Sequence, residues 1–244
     1  MEEYLTNSLY LIPGTMCDHR LWEPLSLLLK EYSVSQVDYR DCSNLKSMID
    51  RVAASIPVGA CAVGFSLGGY LVAELAIRRP DLFDSIILIA TSLTGLSSEE
   101  KKLRSDNVEL LRSPLWKGMS KQRVAQFVHE KNIANPKIVK TIITMEKDLD
   151  QRTLINQLLA TLERRNLHEH IEKLGLRTLL IGSEHDKIAS LNNMKKLANI
   201  SEFIDLKITR SLHEPSGHMI PLEAPVELAS MIKDWLKKHN KKAR

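Results

Sequence analysis

Cysteine is scarce in this 244-residue chain, and what little there is forms no pattern. Cys17, Cys42 and Cys61 are odd in number and share no Cys-x-x-Cys spacing, which excludes a disulfide framework and a cysteine zinc site and leaves reduced thiols as the expectation. Cys61 falls inside an apolar run and reads as packing, so Cys17 is expected to be the more exposed. Long apolar runs are missing too. None approaches the roughly 20 residues that span a bilayer, and the acidic start Met1-Glu2-Glu3 is unlike a secretory leader, so a cytoplasmic location and no membrane partner are expected. Metal-ligand spacing is also lacking: His185 beside Asp186 has no second spaced histidine, and His168 and His170 read as a solvated helix face. Neither a metal nor a cofactor is expected.

Charge is close to balance, at a formal +4 from 34 Lys and Arg against 30 Asp and Glu. The excess is uneven. Residues 96–170 carry 14 basic against 10 acidic side chains and the remainder 20 of each, so the whole surplus falls in one interval. The basic tail Lys237 to Arg244 reads as a frayed end, and no nucleic-acid partner is expected. With 43% hydrophobic and 26% charged residues, the chain has the composition of one ordinary globular domain.

The strongest positive signal is residues 60–69, Ala-Cys-Ala-Val-Gly-Phe-Ser-Leu-Gly-Gly, in which Ser66 stands between Gly64 and Gly68 behind an apolar stretch of strand length. Downstream, Leu71, Val72, Leu75 and Ala76 recur at helical spacing until Pro80, and a second apolar run follows over Ser85 to Ala90. Strand, sharp turn, helix and strand predict a βαβ unit with Ser66 at the carboxyl end of its first strand, where such units place ligands. A serine hydroxyl is a weak nucleophile near neutral pH, so it needs an imidazole base and a carboxylate to hold the imidazole. His218, in Ser216-Gly217-His218-Met219-Ile220-Pro221-Leu222-Glu223-Ala224-Pro225, is the expected base; His213 lacks the preceding glycine. Asp186, at the end of the apolar stretch Leu179 to Gly182, is the expected acid, with Glu184 its nearest substitute.

In this serine, acid, histidine order the chain resembles the α/β-hydrolase superfamily, and the resemblance covers nearly all of it. Tyr10-Leu11-Ile12-Pro13-Gly14-Thr15-Met16, with Leu21-Trp22 beyond, is similar to the strand, His-Gly turn and tryptophan of that family's oxyanion loop. The resemblance implies that the backbone amides of Thr15 and Leu67 form the oxyanion hole, that Phe65 contacts substrate, and that an acyl-enzyme ester hydrolysis proceeds at Ser66. Proline replaces the usual histidine at position 13, and no proline follows Asp186 closely. Too few residues precede the first strand for the family's initial antiparallel hairpin, so a shortened sheet is expected.

From about Leu96 to Thr178 the pattern reads as successive amphipathic helices broken at Ser113-Pro114, Asn135-Pro136 and Asp150. This is similar to the helical cap inserted in many α/β-hydrolases, giving a core of residues 1–91 and 171–244, with mostly parallel strands flanked by helices, and a cap of 92–170. Trp116 and Met119 are expected to line its pocket. The chain also resembles small capped carboxylesterases, including those that cleave the methyl ester of pimeloyl-acyl carrier protein in biotin synthesis. On that resemblance the basic cap is where an acyl carrier protein would dock and the substrate is a small or carrier-linked ester; the plainer reading of the basic side chains is a solvated surface. Two alternatives keep the same fold: a carbon–carbon hydrolase or lyase, and a non-catalytic ligand-binding relative.

Overall fold

The computed structural model describes residues 8–113 and 118–240. Along the chain run β1 (Ser8–Ile12), α1 (Glu23–Leu28), β2 (Ser33–Gln36), α2 (Leu45–Ser55), β3 (Ala60–Phe65), α3 (Leu67–Arg78) and β4 (Phe83–Ile89). A helical interval follows with α4 (Ser98–Arg112), α5 (Lys121–Val124), α6 (Pro136–Leu162) and α7 (His168–Glu172). The chain then returns through β5 (Arg177–Ser183), α8 (Leu191–Ala198), β6 (Ile204–Thr209), α9 (Ile220–Glu223) and α10 (Pro225–Asn240).

The strands form one sheet of six in the order β2-β1-β3-β4-β5-β6, with every pairing parallel. Parallel sheets need both faces covered, which is why β3 is buried at all of its positions and β4 at all but Asp84. Alternate side chains of each strand serve opposite faces. Ile86 and Leu88 pack with Met48 and Val52 of α2 and Leu71 and Leu75 of α3, whereas Ile87 and Ile89 pack with Leu25 of α1 and Leu228, Ile232 and Trp235 of α10. From β1 the chain moves outward to β2, then crosses back to β3 on the other side. The order therefore reverses between β1 and β3, and a crevice opens at their carboxyl ends, where this class of sheet binds its ligands.

No strand occurs among the described residues between 92 and 170. α4 starts in a capping box, in which Ser97 Oγ accepts from the Glu100 amide while the Glu100 carboxylate accepts from the Ser97 amide. α6 is two helices joined at Asp150, whose backbone sits at φ 65°, and the Asp150 carboxylate restarts the second half by accepting from the Thr153 amide at 2.8 Å. The break read from the sequence at Asp150 is thus a kink. β6 was not anticipated: Asp205 and Lys207 interrupt its apolar residues, as befits an edge strand with one neighbour. The C-terminal stretch after His218 is split at Pro225 into α9 and α10. No helix among the described residues is long and apolar enough to cross a membrane.

Candidate active site

The turn between β3 and α3 is set by backbone crowding. Ser66 adopts φ 51° and ψ −114°, a conformation that L residues avoid, and its amide is fixed by the Ile89 carbonyl at 2.9 Å. The helix passes so close to β1 that a methyl group on Gly68 would lie 2.3 Å from the Ile12 and Pro13 carbonyl oxygens. Only glycine permits this approach. Ser66 is thereby held off the end of the strand with its side chain directed outward.

Two later loops reach that hydroxyl. His218 Nε2 lies 3.0 Å from Ser66 Oγ, and its Nδ1 lies 2.9 and 3.1 Å from the two oxygens of Asp186. The Asp186 carboxylate is turned inward by the Ile188 and Ala189 amides, at 2.7 and 2.9 Å, and its side chain is 1% exposed. The same two bonds tie the loop after β5 to the carboxylate. Glu184 points to solvent near Arg210, and His213 is exposed, so neither alternative reaches the serine. The carboxylate and serine contacts suit an Nδ1–H tautomer that donates to Asp186 and leaves Nε2 free to accept the serine proton.

The histidine loop is gripped by the helical insertion. The His218 amide donates to the Phe127 carbonyl at 2.8 Å, and a methyl group on Gly217 would fall 2.7 Å from the His129 amide nitrogen. Buried Glu223 joins the same parts, accepting from the His129 amide at 2.6 Å, Asn132 Nδ2 at 2.9 Å and the Gly217 amide at 2.9 Å. Burial raises the Glu223 carboxyl above its ordinary range, against these donors. Sequence reasoning passed over Glu223 except as part of the histidine motif.

The loop after β1 meets the elbow from the other side. Tyr39 Oη donates to the Pro13 carbonyl at 2.7 Å, bracing the position where the expected histidine is replaced. Met16 has φ 53°, and its amide donates 2.8 Å to Oε1 of Gln157, a side chain on α6 that is 3% exposed. Between these two anchors lies Thr15. Neither the Thr15 nor the Leu67 amide donates to another group among the described residues, and Leu67 is the first residue of α3, where amides have no partner inside the helix. A third tie follows: Arg20 bonds both Asp18 on the loop and Asp148 on α6, the latter at 2.7 Å. Burial opposes ionisation of Asp18, yet Arg20 holds its carboxyl below the usual range.

Of the expected pocket residues, Phe65 and Met119 are described. Phe65 is 1% exposed and packs edge-on against Trp22 at 6.5 Å and against the His218 ring at 5.2 Å. Its ring packs beside the imidazole at the end of β3. Met119 is half-buried against the same apolar cluster, its amide donating to Glu146 at 3.2 Å. Trp116 lies outside the described residues. Cys17, expected to be exposed, is buried with Cys42 and Cys61; burial, with a contribution from Asp18, pushes the Cys17 thiol up to about 12, and burial pushes Cys61 up to about 11. Thiols so raised are protonated and poor nucleophiles. Among the described residues no group of three or more His, Cys, Asp or Glu gathers as metal ligands.

A parallel sheet that reverses order at a serine-bearing strand–helix turn, with an aspartate and a histidine delivered by the loops after its last two strands, defines the α/β-hydrolase fold. The structure of a thermophilic esterase from Thermogutta terrifontis superposes with a TM-score of 0.81 at 20% identity, over 95% of this chain and 89% of that one. The Esterase family model matches residues 42–178, and the chain belongs to that family, the carboxylic ester hydrolases of this fold. Among curated proteins it is 23% identical over 234 residues to the pimeloyl-[acyl-carrier protein] methyl ester esterase of Shewanella oneidensis, covering 85% of this chain and 84% of the relative. It is also 22% identical over 183 residues to the uncharacterized hydrolase YugF of Bacillus subtilis, covering 73% of this chain but 65% of that protein's length.

Proposed function

We propose that Ser66, His218 and Asp186 carry out ester hydrolysis through an acyl-enzyme, with the Thr15 and Leu67 amides as oxyanion donors. The observation that carries this reading is the unbroken relay from Asp186 to His218 Nδ1 and from His218 Nε2 to Ser66 Oγ, at 2.9 and 3.0 Å. As Ser66 Oγ attacks the ester carbonyl carbon, Nε2 takes its proton and the imidazolium is stabilised by the Asp186 carboxylate. Negative charge gathers on the former carbonyl oxygen and is met by the two amides. Collapse breaks the bond to the alkoxy group, which leaves as an alcohol with the proton from Nε2. Water then attacks the acyl-enzyme by the same route, releasing the carboxylic acid and restoring Ser66.

For the substrate, the relative of Shewanella oneidensis and the surplus of basic side chains over 96–170 support an ester presented on an acidic carrier, with pimeloyl-acyl carrier protein methyl ester as the specific candidate. A carrier docked on the cap would be steered by charge. The test of the chemistry is turnover of p-nitrophenyl butyrate and labelling by a fluorophosphonate in wild type and Ser66→Ala. The variant is expected to lose turnover by about 10⁴-fold or more and all labelling; a wild type that neither turns over the ester nor takes the label overturns the reading. For the carrier, hydrolysis of the carrier-linked ester should fall as salt rises while that of a free ester does not; equal salt dependence overturns docking.

A further inference from the structure

Three arginines meet where the end of α6 rejoins the core, and they are treated very differently. Arg165 is neutralised: its Nε lies 3.0 Å from Glu74, a carboxylate with a 1% exposed side chain that also binds Arg78. Arg164, one residue earlier, turns the other way. Its guanidinium lies 5.0 Å from the centre of the Tyr70 ring, its Nη2 donates to the Thr94 carbonyl at 2.8 Å, and its Nε is buried with no hydrogen-bond partner among the described residues. Arg104 arrives from α4 and donates through Nη1 to Thr161 Oγ1 at 2.7 Å, one helical turn before Arg164. Neither Arg104 nor Arg164 forms an ion pair among the described residues. Glu100, the carboxylate whose charge reaches both, is committed to the cap of α4.

Burying one positive charge without a partner is costly, and a second one beside it adds repulsion. Burial first, then the charge of Arg104, pushes Arg164 down to about 10, and burial lowers Arg104 as well. The rigid fork of a guanidinium stacked on a tyrosine is suited to a planar or tetrahedral oxyanion. We propose that Arg104 and Arg164 form a recessed receptor for one oxyanion group, a carboxylate or a phosphate, at the hinge between cap and core. Tyr70 lies one helical turn beyond Ser66, its amide bonding the Ser66 main-chain carbonyl at 3.1 Å, and Thr91, three residues before Thr94, places its hydroxyl 3.3 Å from the same oxygen. A substrate whose ester end occupies Ser66 and whose far end carries an anion would be held at both ends. That extension rests on the ester-hydrolase reading; the receptor itself does not.

Thermal unfolding at constant ionic strength, with inorganic phosphate or malonate exchanged for chloride, tests the receptor. Wild type should gain several degrees in Tm in a saturable way, and Arg164→Gln and Arg104→Gln should each lose most of that gain. No gain in wild type, or equal gains in all three proteins, overturns the proposal; Arg104→Gln decides the matter alone if Arg164→Gln does not fold. The source of the oxyanion is read from kcat/KM for the monomethyl ester of a seven-carbon dicarboxylic acid, relative to the methyl ester of the seven-carbon monocarboxylic acid. A ratio of about 10 or more in wild type that falls toward one in both variants, through KM, assigns the far end of the substrate. A ratio indifferent to the variants, with the Tm response intact, supports the receptor and assigns it to a free oxyanion. Fluorophosphonate labelling of Ser66 in each protein separates failure of the receptor from failure of the catalytic reading.

Discussion

The sheet-and-elbow core and the helical insertion between β4 and β5 hold the same site by different balances of packing and hydrogen bonding. In the core, β3 and β4 are almost wholly buried and apolar, and Ser66 owes its position to main-chain crowding around Gly68. The insertion is largely exposed along α4, where Val108 and Leu111 are the buried residues, and α6 buries Glu146, Thr153, Gln157 and Thr161 beside its apolar side chains. Beside the apolar contacts that Val124, Val128, Ile138, Val139, Ile142 and Met145 make with the core cluster, it grips the core through discrete polar ties: Gln157 to the Met16 amide, Asp148 to Arg20, Phe127 to the His218 amide. Packing places Ser66, and directed hydrogen bonds fix the groups around it.

If that division is right, damage to the two regions will differ in kind. Gly68→Ala should destabilise the fold by about 3 kcal/mol, since a methyl group 2.3 Å from two carbonyl oxygens forces the elbow away from β1; urea unfolding measures it, and a change below about 0.5 kcal/mol contradicts the crowding argument. Gln157→Leu strands the Met16 amide in a buried place, costing about 1–3 kcal/mol. Its signature is kinetic: kcat for ester hydrolysis should fall about tenfold with KM moving less, because the turn carrying Thr15 loosens. An equal fall in thermal stability with kcat intact would reduce Gln157 to a purely structural tie. Smallest is Asp18→Asn. The Asp18 carboxyl titrates lower in the folded protein than its ordinary 3.8, so its ionised form adds stability above that pH, and the contribution vanishes as pH falls through the lowered value. The Tm gap between wild type and Asp18→Asn should correspond to no more than about 1 kcal/mol at pH 7 and close in acid. A gap that persists below the titration range would place the effect elsewhere.

The two regions also differ in how far the sequence discloses them. Local signals mark the core: an apolar run, then glycines about a serine, then helical spacing give β3, the elbow and α3, and the positions of Asp186 and His218 follow from similar strand-end and glycine cues. β6 escaped because an edge strand carries polar residues on much of its surface. The ties of the insertion leave no local mark. Nothing about Gln157 distinguishes it from other helical glutamines until the chain folds back across 141 positions to Met16. Pro13 is visible as a departure at the oxyanion loop, but the side chain that braces its carbonyl, Tyr39, lies 26 residues on. The ring contacts of Phe65 with Trp22 and His218 likewise span 43 and 153 positions and leave no local mark.

The bond between the Phe127 carbonyl and the His218 amide means that the helical insertion is not a detachable module. A chimaera that replaces residues 92–170 with the corresponding segment of a relative would have to return a carbonyl oxygen to that spot, or His218 would be left without its main-chain anchor even though the side chains of Ser66, Asp186 and His218 survived. Changing what the enzyme accepts by exchanging whole lids should therefore fail more often than changing single residues on a lid whose backbone is kept.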